Sequence, residues 1–246
     1  MRTEQHGDFK SKVSIAKALK MMQRQMGLKE TGKLDKPTLN AMKRPRCGVP
    51  DVANYLVAGG IHKWDHNDIT YRILNYSLDM ESTVTDDVFA RALKVWSDVT
   101  PLTFTRLLQG DADIMISFET DHGDGSPFDG KGGILAHTFL PGMNFIVDAH
   151  FDNDEYWTLG KGNGKSLFLL AAHEFGHGLG LNHSNVRNAL MFPLYRYVED
   201  FSLDQDDIDG IQFLYGELTT QYSFTINLVK LMKTLSHQRP LQDAQV

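Results

Sequence analysis

One stretch constrains this chain more than any other: His173-Glu174-Phe175-Gly176-His177-Gly178-Leu179-Gly180-Leu181-Asn182-His183. Residues four apart on a helix return to nearly the same azimuth, so His173 and His177 share one face and can reach one metal ion. Glu174 is rotated from His173 by about 100°, which sets it beside the metal where a carboxylate can act on a bound water as general base. Gly178 and Gly180 make further helix costly and permit a left-handed turn, which can bring His183 in as third ligand. Three histidines leave the fourth position of a tetrahedral zinc open, and that opening separates a catalytic site from a closed structural one. The competing reading is a helix carrying surface histidines.

The 246 residues suffice for one large domain, or a medium domain with an appendage. A formal net charge of -6 argues against general nucleic-acid binding. No apolar run approaches the roughly 18 residues of a membrane span, and Met1 to Lys10 carries no signal-peptide core. The single cysteine, Cys47, excludes an intrachain disulfide and leaves a thiol to be explained.

In chain order, Val13, Ala16, Leu19, Met22 and Met26 predict an amphipathic helix over 12–28, closed at Thr31-Gly32. Asp35-Lys36-Pro37-Thr38 starts a second short helix through Met42. Pro45-Arg46-Cys47-Gly48-Val49-Pro50-Asp51 is incompatible with helix and predicts an extended segment presenting the thiol. Its polar, proline-flanked setting argues against a plain buried cysteine. Alternating apolar residues then predict strands around Ile69–Ile73, 102–107, 113–118, 134–139 and 147–151. A helix over 84–99 carries Val88, Phe89, Ala92, Leu93 and Trp96 inward, with Thr83 or Thr85 as N-cap. The metal helix starts near Ser166, and a last helix covers 202–215 with Ile208, Ile211 and Leu214 inward. The order is α+β, a mixed sheet backed by helices.

The heptapeptide at 45–51 resembles the cysteine switch of matrix metalloproteinase zymogens, and the string from His173 to His183 resembles their metzincin zinc motif. The resemblance covers roughly residues 15 to 216. It implies a twisted five-stranded mixed sheet with three helices, preceded by a small helical propeptide. The implied division is 1–54 propeptide with cysteine switch, 55–216 zinc protease domain and 217–246 tail. It further implies that Cys47 ligates the catalytic zinc as thiolate, completing a tetrahedron with His173, His177 and His183 and keeping the enzyme latent; zinc deprotonates a coordinating thiol outright.

By the same resemblance, His122, Asp124, His137 and His150 hold a second, structural zinc. Asp129, Asp152 and Glu155 supply the hard oxygen ligands that suit calcium, and Asp113 with Asp148 forms a further calcium site. The loop after Gly142 departs from the family pattern, with Asn144, Ile146 and Val147 where glycines are usual. Met191 matches the Met-turn beneath the histidines, Asp206 and Asp207 the pair that supports it, and Leu169, Leu170, Pro193 and Tyr195 the lining of an apolar S1′ pocket.

Thr31-Gly32-Lys33-Leu34-Asp35, Asp87-Val88-Phe89-Ala90-Arg91-Ala92 and Phe128-Asp129-Gly130-Lys131 resemble the gelatinases in particular. The segment 157–165 runs without the disulfide-bonded fibronectin type II modules of that group. A hemopexin-like domain and a signal peptide are also expected to be missing, the latter through an incomplete N-terminus. The implied function is a secreted, extracellular zinc endopeptidase, synthesised latent, with Glu174 as general base, zinc and calcium as cofactors and matrix proteins or peptides as substrates. Tissue metalloproteinase inhibitors are implied as partners, the chain being a monomer with neither nucleic acid nor membrane span. The rival is a non-catalytic or permanently latent zinc-binding paralogue; retention of Glu174 argues against it, since metal binding alone does not require that carboxylate.

Overall fold

The computed structural model describes residues 14–51, 62–120, 126–142, 147–160 and 162–218. Two short helices come first, α1 (Ile15–Gln25) and α2 (Lys36–Met42), capped by the Ser14 and Asp35 side chains. Between them Gln23, fully buried, lies with its Nε2 2.9 Å from Thr31 Oγ1 and 2.8 Å from Thr38 Oγ1, while its Oε1 accepts from Gly32 N. The expected apolar stripe is therefore only part of this unit's core; Met26 is buried, but the centre is a satisfied amide.

The strands are β1 (Arg46–Cys47), β2 (Asp68–Ile73), β3 (Thr103–Arg106), β4 (Ile114–Glu119), β5 (Ile134–Thr138), β6 (Val147–Asp152) and a small pair, β7 (Trp157–Thr158) and β8 (Lys165–Ser166). The main sheet has the order β1-β5-β6-β4-β2-β3. Five of its strands are those expected, parallel except where β5 runs antiparallel to β6. The sixth, β1, is the cysteine-bearing heptapeptide, which pairs parallel with β5 rather than forming a free linker.

Helix α3 (Ser82–Ser97) buries Val88, Phe89, Ala92, Leu93 and Trp96 against the sheet. Its N-cap is Glu81, not Thr83 or Thr85: the buried Thr85 hydroxyl donates back to Glu81 O at 3.3 Å, so it satisfies itself inside the first turn. Helix α4 (Leu167–Gly178), capped by Ser166, is buried at every residue but Phe168, the pattern of a central helix. Phe175 on α4 meets Phe89, which meets Phe118 and Phe151, with ring centroids 5.4–6.1 Å apart. Helix α5 (Gln205–Tyr215) begins three residues later than expected because Asp204 and Asp207 form a reciprocal capping box.

Candidate metal centre

On α4 the His173 Nδ1 lies 2.6 Å from Leu190 O and the His177 Nδ1 2.7 Å from Leu181 O. A carbonyl only accepts, so each Nδ1 carries the proton and each Nε2 turns inward as a bare lone pair. Those two Nε2 atoms are 3.2 Å apart. Two acceptors so placed repel unless a cation lies between them, and a tetrahedral zinc with bonds of about 2.1 Å separates its nitrogens by about 3.4 Å. Burial and the neighbouring His183 hold His173 down to about 3 and His177 well below its usual value, so both are neutral ligands in waiting. The His183 Nε2 is buried without a hydrogen-bond partner. With Cys47, the four ligand atoms lie within 4.8 Å of one another, and among the described residues this is the one such cluster. The donor set fits zinc.

Tertiary contacts make the turn to His183. The Trp64 indole donates to Gly178 O at 2.9 Å and the Tyr215 hydroxyl to Leu179 O at 2.7 Å, satisfying carbonyls that the helix end leaves free. Gly180 has φ +105, and a Cβ there would meet His62 O at 1.8 Å, so only glycine fits. Beneath the histidines Met191 is buried, and a Cβ at Gly176 would come within 2.4 Å of its sulfur. Asp207 accepts from Leu190 N and Met191 N, fixing the carbonyl that orients His173, while Asp206 takes the Ser184 hydroxyl.

Cys47 is buried, at 1% exposure, beside the three histidines rather than as an apolar filler. Its burial comes from the centre itself and from β1, which is laced on both sides: Arg46 N donates to Gly133 O just before β5, Gly48 N to Ala136 O in β5, Cys47 N to Pro193 O, and Tyr195 N to Pro45 O. Arg46 and Asp51 form a two-pronged ion pair, and Asp51 also meets His183 Nδ1 at 2.9 Å. Burial opposes ionisation of Asp51, yet these partners hold it below the usual carboxylate range. The thiol lies against Glu174; burial and that neighbour push Cys47 well up. Burial pushes Glu174 up to about 7, with Cys47 and Thr138 opposing. Thr138 donates to Glu174 Oε2 at 3.0 Å, and Oε1 is buried without a partner.

Residues 63–216, the part that carries the sheet and the histidine centre, match the Matrixin family. The chain belongs to the matrixin family. Residues 7–42 match the family described as a putative peptidoglycan binding domain, the stretch holding α1 and α2. Among curated relatives of this matrixin, rat stromelysin-2 is 53% identical over 214 residues, covering 85% of this chain and 45% of the relative. Bovine interstitial collagenase is 53% identical over 203 residues, 82% of this chain and 43% of the relative. The chain thus spans less than half the length of these relatives.

The remaining expected site residues distribute as follows. His137 Nε2 and His150 Nδ1, opposite each other on β5 and β6, lie 3.3 Å apart, while His122 and Asp124 fall outside the described residues. Asp129 accepts from Ile134 N, Glu155 from Gly132 N and Asp152 from Asp154 N. Asp152 Oδ2 is buried without a hydrogen-bond partner; burial, with Asp154, Glu155 and Asp129 nearby, pushes Asp152 up to about 6. The Asp113 carboxylate is engaged by the amide and hydroxyl of Thr70 at 2.7 and 2.6 Å, and Asp148 sits opposite Met115 on the sheet. Leu169, Leu170, Pro193 and Tyr195 line one cavity of about 260 Å³ beside His173 and Cys47. Thr138, Asp51 and the carbonyls of Leu181 and Leu190 escape sequence reasoning; only Asp51 carried a signal, as the end of the heptapeptide.

Proposed function

We propose that this matrixin is a latent zinc endopeptidase, and the observation that carries the reading is the cluster of inward lone pairs closed by one thiol. His173, His177 and His183 hold the zinc, and Cys47 takes the fourth position in the latent form. Zinc, when bound, polarises a peptide carbonyl and lowers the pKa of a water in the position that the thiol vacates. Glu174 accepts the proton of that water and returns it to the leaving amine. An extended peptide takes the place of β1 between β5 and the 193–195 segment, pairing through the same backbone groups. The cavity lined by Leu169, Leu170 and Tyr195 receives an apolar side chain after the scissile bond.

The finer reading follows the family. Residues 1–54 act as propeptide and 55–216 as protease domain, with 217–246 a tail; the junction near Asn54 and the chain from 219 onward lie outside the described residues. His122, Asp124, His137 and His150 hold a structural zinc. Asp129, Asp152 and Glu155 hold calcium, which the partnerless Asp152 oxygen supports; Asp113 and Asp148 make a second site. Matrix proteins are the substrates, with secretion, inhibitor binding and a monomeric state to match; among the described residues no helix is long and apolar enough to cross a membrane. A gelatinase-like S1′ preference without a tethered second contact predicts leucine-type peptides cleaved well and gelatin less well. The decisive test is Cys47→Ser on the full chain. Peptide hydrolysis without activation is expected, whereas the wild type requires a thiol-binding mercurial; a mutant as inert as untreated wild type, with zinc present, would refute the latch.

A further inference from the structure

The proton-accepting role of Glu174 requires one carboxylate oxygen to face the zinc's open position, and nothing on α4 itself fixes the rotation of that group. We infer that Thr138, from the neighbouring strand, is the positioning residue that sets it. The inference rests on the reading of Glu174 as base. Thr138 Oγ1 donates to Glu174 Oε2 at 3.0 Å in a buried setting, which leaves Oε1, buried and without a partner, as the oxygen free to accept from whatever replaces the cysteine. The donor is itself immobile. Thr138 pairs with Ala149 in the β5–β6 ladder, and its methyl faces α4, where a Cβ on Gly178 would lie 3.5 Å from Thr138 Cγ2. A β-branched side chain packed by its methyl on one element has little rotational freedom left, so its hydroxyl points one way. Helix and strand are thereby joined at the reacting carboxylate, and Oε2 is held as acceptor throughout the cycle while Oε1 exchanges its proton.

The test uses the full chain activated by mercurial, with Thr138→Val, which keeps shape and loses the donor, and Thr138→Ser, which keeps the donor and loses the methyl. Thr138→Val is expected to lower kcat roughly tenfold, the scale of one buried hydrogen bond to a charged group, with KM and zinc stoichiometry unchanged. Thr138→Ser is expected to restore most of kcat. In a Glu174→Ala background, Thr138→Val should change nothing further, since the two act as one unit. Wild-type kcat in Thr138→Val, a serine variant as slow as the valine one, or a loss of zinc that tracks the loss of rate would each overturn the inference. If Glu174→Ala itself keeps its turnover, the base reading fails as well; if Glu174→Ala is dead and Thr138→Val is fully active, only the positioning role fails.

Discussion

The histidine centre and the acidic cluster at Asp129, Asp152 and Glu155 are built on opposite principles. Each contains a buried atom without a partner, Nε2 of His183 in one and Oδ2 of Asp152 in the other. In the first, the imidazoles project from a helix buried at all but Phe168 and from its turn, and backbone carbonyls of Leu190 and Leu181 orient two of them. The facing lone pairs repel without a cation, but the rings carry no net charge and the carbonyls hold them in a buried frame, so the arrangement is set by the fold rather than by its ion. In the second, Asp152 ends β6, Glu155 follows it, and Asp129 comes from the loop before β5, each held by a single backbone amide, so like charges converge at the end of β6. Such a group is self-repelling until a cation arrives. On the function proposed above, one site therefore holds its chemistry in a rigid frame, and the other makes local stability conditional on an ion.

Breaking the first site should abolish turnover and leave the fold. Glu174→Gln is expected to keep its zinc and lose about 10²- to 10⁴-fold in kcat, the range for a lost general base, while His177→Ala should lose the catalytic zinc altogether. Metal analysis beside a fluorogenic peptide assay separates the two, and near-normal turnover in Glu174→Gln would remove the carboxylate from the mechanism.

Breaking the second site should do the reverse. Calcium at about one hundred times its Kd stabilises by about 2.7 kcal/mol, and Asp152→Asn is expected to erase that gain in Tm without an equal loss of kcat at low temperature. An unaltered calcium response in Asp152→Asn would break the comparison.

The smallest effect sharpens it. Asp152 is raised in the folded protein to about 6 from 3.8, so between those values the folded state binds more protons than the unfolded one. Calcium-free stability should then fall as pH rises through that window and level off above it. Calcium binds the ionised form, so the Tm gain it confers should grow over the same window. Differential scanning calorimetry across pH with chelator or calcium reads both slopes, and Asp152→Asn should flatten them.

Element order was largely legible, since period-two strands at Ile69–Ile73 and 147–151 and the stripe from Val88 to Trp96 report burial through local spacing alone. The misreadings have a common source. The segment around Cys47 looked like a free linker because its neighbours in sequence are polar and proline-flanked, whereas its neighbours in space are β5, the 193–195 segment and the histidines. Thr85 looked like a cap until burial gave its hydroxyl a nearer acceptor.

Sequence by itself determined which side chains gather at the histidine centre, because helical periodicity sets His173 and His177 on one face and two glycines let the chain turn back with His183. It determined the extended course of the thiol-bearing segment as well, because prolines flank Arg46 to Val49 and exclude helix. Only the tertiary structure decided which atoms control those groups: the Leu190 carbonyl on His173, Asp51 on His183 and Thr138 on Glu174. Those contacts join residues 17, 132 and 36 positions apart. Over such separations local spacing carries no signal, and only sheet register and helix packing select the partner.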